Sequence, residues 1–172
     1  MNNKFDFILL PPDSFHQSFN DLFSNSRKNF NDIELLLNEI CKKTNKQLLI
    51  KYRTPSQRIN FPCFSNKTVS YGNLLNFCKT NTKIIGPVST ALLESLIKNI
   101  PYFAYDFVEA NKYNRMLNND MTELLYISRT PSEVINNINK KKIYKPNKSC
   151  EDLFCPNPLS LNEIINSILN EK

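Results

Sequence analysis

Apolar positions along the chain switch between an uninterrupted or alternating pattern and a 3.6-residue period, and the switches predict alternating strands and helices. Phe5–Leu10 (FDFILL) is a nearly continuous apolar run closed by Pro11-Pro12, as in a strand covered on both faces. Residues 13–30 are polar and aromatic with no clean period and read as a long loop. Asn31 or Asp32 then caps a helix over Ile33–Thr44, whose buried face is Ile33, Leu36, Leu37 and Ile40. Gln47–Tyr52 (QLLIKY) is a second strand, running into Arg53-Thr54-Pro55. Gln57–Phe64 reads as a loop, Thr68–Ser70 as a short strand, and Leu74–Lys79 as a helix capped by Asn73.

The centre of the chain is Lys83–Phe107. A β-branched run, Lys83-Ile84-Ile85, is broken by Gly86-Pro87. Val88-Ser89-Thr90 opens a helix with Leu92, Leu93, Leu96 and Ile97 on its core face. Asn99-Ile100-Pro101 ends it, and Tyr102–Tyr105 is the next strand. Strand, helix and strand this close together form a βαβ crossover with a parallel pair. Farther on, Leu124–Ile127 is a strand, and Thr130-Pro131-Ser132-Glu133 starts a helix with Pro at its first position. Ser160 and Glu163 form a capping box for a last helix, Leu161–Leu169. The alternation predicts an α/β fold: a Rossmann-like parallel sheet with helices on both faces.

The 172 residues suit one domain. Residues 5–139 form its core, 140–159 a basic linker and 160–170 the carboxyl-terminal helix. A net charge of +6 favours a phosphorylated ligand or an anionic membrane surface. No basic stripe interleaved with aromatics points to nucleic acid. No apolar run is long enough for a bilayer and no signal-peptide pattern is apparent. Five scattered cysteines are expected to be reduced thiols, and the Cys150–Cys155 pair lacks the partners of a zinc site. The expected location is therefore cytoplasmic, with peripheral contact at the inner face of the membrane.

The turn from Gly86 into the helix lies where a strand ends and a helix begins, the edge at which open α/β sheets bind ligands. Helix-start N–H groups and the helix dipole favour phosphate there. Ser89 and Thr90 add hydroxyls, although either also suits a simple N-cap. Glu94, four residues after Thr90, shares its helical face and is placed to accept from ribose hydroxyls, or is a solvated first-turn acid. At the end of the second strand Lys51 and Arg53 are candidates for pairing with phosphate, Arg53 the favoured one. His16, the only histidine, falls in the first long loop on the same edge and is a further candidate for contacting the diphosphate, or is simply an exposed loop residue. Asp106 and Glu109, in a strand-end loop, are candidates for holding sugar hydroxyls.

The segments Ile84-Ile85-Gly86-Pro87, Ser89-Thr90, Leu93-Glu94-Ser95-Leu96 and Ile100-Pro101 are similar to the carboxyl-terminal half of GT-B fold glycosyltransferases. Among these the chain resembles surface-polysaccharide glycosyltransferases and the CDP-glycerol glycerophosphotransferases of wall teichoic acid synthesis. Lys51-Tyr52-Arg53-Thr54-Pro55 resembles their K-x-H-P strand end, with Arg53 in place of the usual His. Ile127–Glu133 is similar to their late strand and helix. Nucleotide-sugar 2-epimerases share the architecture.

The resemblance implies that Ser89 and Thr90 bind the diphosphate of a nucleotide-sugar donor, with Glu94 near the ribose or donor sugar. Arg53 would be the basic contact and Asp106 would face donor or acceptor. It implies no metal and no cofactor beyond the donor substrate. GT-B enzymes react in a cleft between two Rossmann-like domains, so an acceptor domain or a second chain is expected to complete the site. The competing readings are a polyol-phosphate transferase or epimerase on the same fold, and a non-catalytic interaction module or gene fragment.

Overall fold

The computed structural model describes residues 4–12, 20–64, 69–87, 89–105 and 127–140. The strands are β1 (Phe5–Leu9), β2 (Leu48–Lys51), β3 (Val69–Ser70), β4 (Cys78–Gly86) and β5 (Tyr102–Ala104). They form one five-stranded sheet in the order β3-β2-β1-β4-β5. Every pair is parallel. A parallel bridge from Tyr105 to Ser128 continues it past β5. Its helices are α1 (Asn20–Thr44), α2 (Pro55–Asn60), α3 (Thr90–Ile97) and α4 (Pro131–Asn139). The fold is therefore α/β and Rossmann-like.

Alternation along the strands sorts the core into two layers. Phe7, Leu9, Leu48, Ile50, Ile85 and Phe103 face Phe30, Ile33 and Leu37 of α1 and Val134 and Ile138 of α4. Ile8, Leu49, Ile84, Tyr102 and Ala104 face Leu92 of α3 and Leu74 on the opposite side. Right-handed crossovers explain the division. The chain moves one way from β1 through β2 to β3, then returns and moves the other way from β4 to β5. The crossover helices α1 and α3 must then cover opposite faces, and α4, which follows the last strand, returns to the α1 face.

Three local expectations are corrected. The helix preceding β2 begins at Asn20, inside the stretch read as a loop, and runs for 25 residues. Its buried stripe runs back from Ile33 through Phe30 to Ser26, and the small polar serine disguises the period. Residues 13–19 lie outside the described set. The segment read as a loop after Pro55 contains α2, started by Thr54 as N-cap with Pro55 at its first position. The expected helix Leu74–Lys79 is only a 3-10 turn over Leu74–Phe77, and β4 takes over at Cys78. The polar start of β4 (CKTNTK) hides a strand that pairs with β1 across a register shift between Phe5 and Phe7. Thr82 is buried there. Its hydroxyl accepts from Lys79 N–H at 2.7 Å and donates to Phe5 O at 2.6 Å.

Asparagines stop two of the helices. Asn45 and Asn99 have φ of 50° and 54°. Each is followed by a bond back across the last turn, Lys46 N–H to Cys41 O at 3.1 Å and Ile100 N–H to Ser95 O at 2.8 Å. These are left-handed helix ends of the Schellman kind, with Asn where Gly is commoner. The helix start at Thr130-Pro131 is as expected, and Thr130 and Glu133 cap each other reciprocally. The expected strand Leu124–Ile127 lies outside the described residues except for Ile127. The helix Leu161–Leu169, the 140–159 linker after Lys140, and Cys150 and Cys155 lie wholly outside them.

At the amino edge of the sheet Asp6 of β1 is tied to β4 and to the residue just before β2. Its carboxylate pairs with Lys79 at 2.6 Å and accepts from Gln47 N–H at 3.0 Å. Burial pushes the carboxyl up, but Lys79, the Gln47 N–H and the charge of Lys46 together hold it below its ordinary value. Among the described residues no helix is long and apolar enough to cross a membrane.

Candidate functional site

The opposite, carboxyl edge carries the candidate site. The direction in which successive strands are added across the sheet reverses between β1 and β4, and the loops there diverge toward opposite faces. A crevice must open at such a point. The structure has one, a cavity of about 300 Å³, bordered by Leu10 and Pro11 after β1 and by Pro87 and Ser89 after β4. Lys51 and Arg53 line it from β2, and Thr90 and Glu94 from α3. Gln57 of α2 and Asn73 and Leu74 of the 3-10 turn complete the wall.

The turn between β4 and α3 is packed from below. The Tyr102 hydroxyl donates to the Pro87 carbonyl at 2.6 Å. Burial pushes this phenol well above its ordinary value, and a side-chain hydrogen bond with Ser89 partly opposes the shift. Ser89 also accepts the Leu92 N–H through its carbonyl at 3.0 Å, closing the first turn of the helix. Gly86 is required by close approach. A Cβ on it would lie 2.6 Å from the Tyr102 hydroxyl and 2.9 Å from Leu10 Cβ.

On the other wall, strand parity decides which side chains enter. Leu48 and Ile50 point to the α1 face and Leu49 to the α3 face. Lys51, two residues after Leu49, therefore points to the α3 side, where the cavity lies. Lys51 is half-buried, whereas Arg53 is exposed on the rim. Burial pushes the Lys51 ammonium below its ordinary value. The charge of Glu94 across the cavity opposes that shift, and that of Arg53 adds to it.

Gln57 ties the β1 and β2 loops together. Its amide Nε2 donates to Pro12 O at 3.1 Å and its Oε1 accepts from Arg53 N–H at 2.7 Å. Buried and hydrogen-bonded at both ends of its amide, it sets the spacing of the two strand ends.

Of the residues singled out in the sequence, the fold thus brings Arg53, Ser89, Thr90 and Glu94 around one cavity. His16, Asp106 and Glu109 lie outside the described residues, as does Val88. Models of protein families, curated proteins and solved structures yield no match to this chain. The site has to be read from its own chemistry: two cationic side chains and one carboxylate around a crevice at a helix start.

Sequence reasoning passed over Gln57, and placed Lys51 second to Arg53. Arg53-Thr54-Pro55-Ser56-Gln57 and Arg129-Thr130-Pro131-Ser132-Glu133 differ only in their last residue. Both fit the S/T-x-x-E/Q capping signature. In both, the last side chain accepts the N–H of the arginine, at 2.7 Å from Arg53 and 2.6 Å from Arg129. Comparing the two segments identifies the α2 start.

Proposed function

We propose that this domain is the donor-binding half of a glycosyltransferase acting in bacterial surface-polysaccharide synthesis, and that the cavity holds the phosphate end of a nucleotide-sugar donor. The observation that carries the proposal is the crevice where strand order reverses, with Lys51 and Arg53 on one wall and the start of α3 on the other. First-turn N–H groups of a helix lack partners within it and favour an anion. Thr90 adds an exposed hydroxyl, and Ser89 is steadied against Tyr102.

In transfer, the sugar carbon–oxygen bond breaks and negative charge gathers on the departing phosphate. Preorganised N–H groups and cations stabilise that charge without reorganisation. The acceptor and its general base would come from a second domain or chain facing the carboxyl edge, completing a GT-B cleft. A polyol-phosphate transferase would use the same phosphate site, and CDP-glycerol or CDP-ribitol preference over sugar nucleotides would identify it.

The test is thermal denaturation of the full chain with UDP, GDP, CDP and CMP at millimolar concentration. A ligand at about 100 times its Kd adds about 2.7 kcal/mol of stability. A rise in Tm with one nucleotide, abolished in the Ser89→Ala/Thr90→Ala double variant, is the expected result. A cooperative melt that none of the four shifts would reject a nucleotide-binding role for this chain.

A further inference from the structure

Within that phosphate-binding reading, the two charged side chains that face each other across the cavity have different tasks. We infer that Lys51 is the cation that takes up the phosphate charge of the ligand, and that Glu94 is its counter-ion before the ligand arrives rather than a ligand for ribose. Lys51 enters the cavity because strand parity sends it to the α3 face, and it is half-buried there. A partly desolvated ammonium without a counter-charge is costly. Glu94, on the face of α3 that lines the same cavity, supplies that charge, while Arg53 at the rim opposes it.

An arriving phosphate replaces the carboxylate as the partner of Lys51. Glu94 then stands near an anion of its own sign and weakens binding. A ribose ligand would do the opposite, since accepting from a hydroxyl strengthens binding. The two roles of Glu94 therefore predict opposite signs for its neutralisation. The neutral Gln57 fits the same scheme. Its counterpart in the second Arg-Thr-Pro-Ser segment is Glu133, away from the cavity; the copy that borders the cavity carries no charge.

The probes are inorganic pyrophosphate and the four nucleotides, titrated calorimetrically into the full chain and into Lys51→Met and Glu94→Gln. Melting curves confirm that each variant is folded, and Glu94, being exposed, tolerates the exchange. Lys51→Met is expected to weaken pyrophosphate by about tenfold or more, the loss of one charge-assisted contact. Glu94→Gln is expected to tighten pyrophosphate about threefold. No pyrophosphate binding by the unaltered chain, an unchanged Kd in Lys51→Met, or weaker nucleotide binding in Glu94→Gln would each overturn the assignment. Pyrophosphate binding without nucleotide binding would sustain it and reject the glycosyltransferase reading. Nucleotide binding indifferent to both substitutions would do the reverse.

Discussion

The hydroxyl of Tyr102 donates to the carbonyl of Pro87 over 2.6 Å, so β5 holds the turn that opens α3. The bond lies beneath the candidate site, between the buried Tyr102 and the half-buried Pro87. Tyr102→Phe keeps the ring and removes the bond, leaving the Pro87 carbonyl unpaired. The expected loss is about 1–2 kcal/mol in urea denaturation, together with weaker phosphate binding because Ser89 loses its support. A variant as stable as the parent would show that the bond contributes nothing net.

Gly86 has no room for a side chain. In Gly86→Ala the new methyl meets the Tyr102 hydroxyl and Leu10 Cβ, the latter attached directly to backbone. Overpacking of this kind costs about 1–3 kcal/mol. Combining it with Tyr102→Phe removes one of the two clashing groups, so the double variant should be more stable than the sum of the single effects. Strict additivity in a double-mutant cycle would refute the contact.

Gln57 bridges Pro12 O and Arg53 N–H. Gln57→Leu removes the side-chain partner of both of these backbone groups and should cost about 2–4 kcal/mol. Gln57→Glu retains the acceptor for Arg53 N–H but loses the donor to Pro12 and places a negative charge on the cavity wall. Its affinity for pyrophosphate should fall further than that of Gln57→Leu. Equal affinities in the two variants would mean that charge at this position does not reach the ligand.

Asp6 makes stability depend on pH in a defined direction. Its folded value is depressed, so it favours the folded state above its unfolded value of 3.8, and the benefit is lost as pH falls through the lower, folded value. Both partners are partly exposed, which limits the effect to about 0.5–1 kcal/mol. Asp6→Asn should therefore be less stable than the parent at about pH 6, and the gap should close toward about pH 2. A gap that persists in acid would assign the loss to the Gln47 hydrogen bond rather than to charge.

Much of the fold was legible because its strands are apolar runs and its helix signals are local. Phe5–Leu10, Gln47–Tyr52 and Thr130-Pro131 needed no knowledge of neighbours. Ser26 concealed the helix period because it is polar yet buried. The first half of β4 was hidden because Lys79 and Thr82 find distant partners in β1, at Asp6 and Phe5 O. Arg53, Ser89, Thr90 and Glu94 could be proposed from strand and helix ends alone. Their convergence could not, since it depends on which strands are neighbours.

By itself the sequence determined the alternation of strands and helices, the helix stops at Asn45 and Asn99, and the turn at Gly86-Pro87, all of them set by interactions within a few residues. Only the tertiary structure decided that β1 and β4 lie side by side, so that the loops on either side of them part into a cavity. The tertiary structure also put Lys51 inside that cavity and Arg53 at its rim. The physical reason is that strand order and the depth to which a side chain is buried come from packing between segments far apart in the chain, which local pattern does not encode.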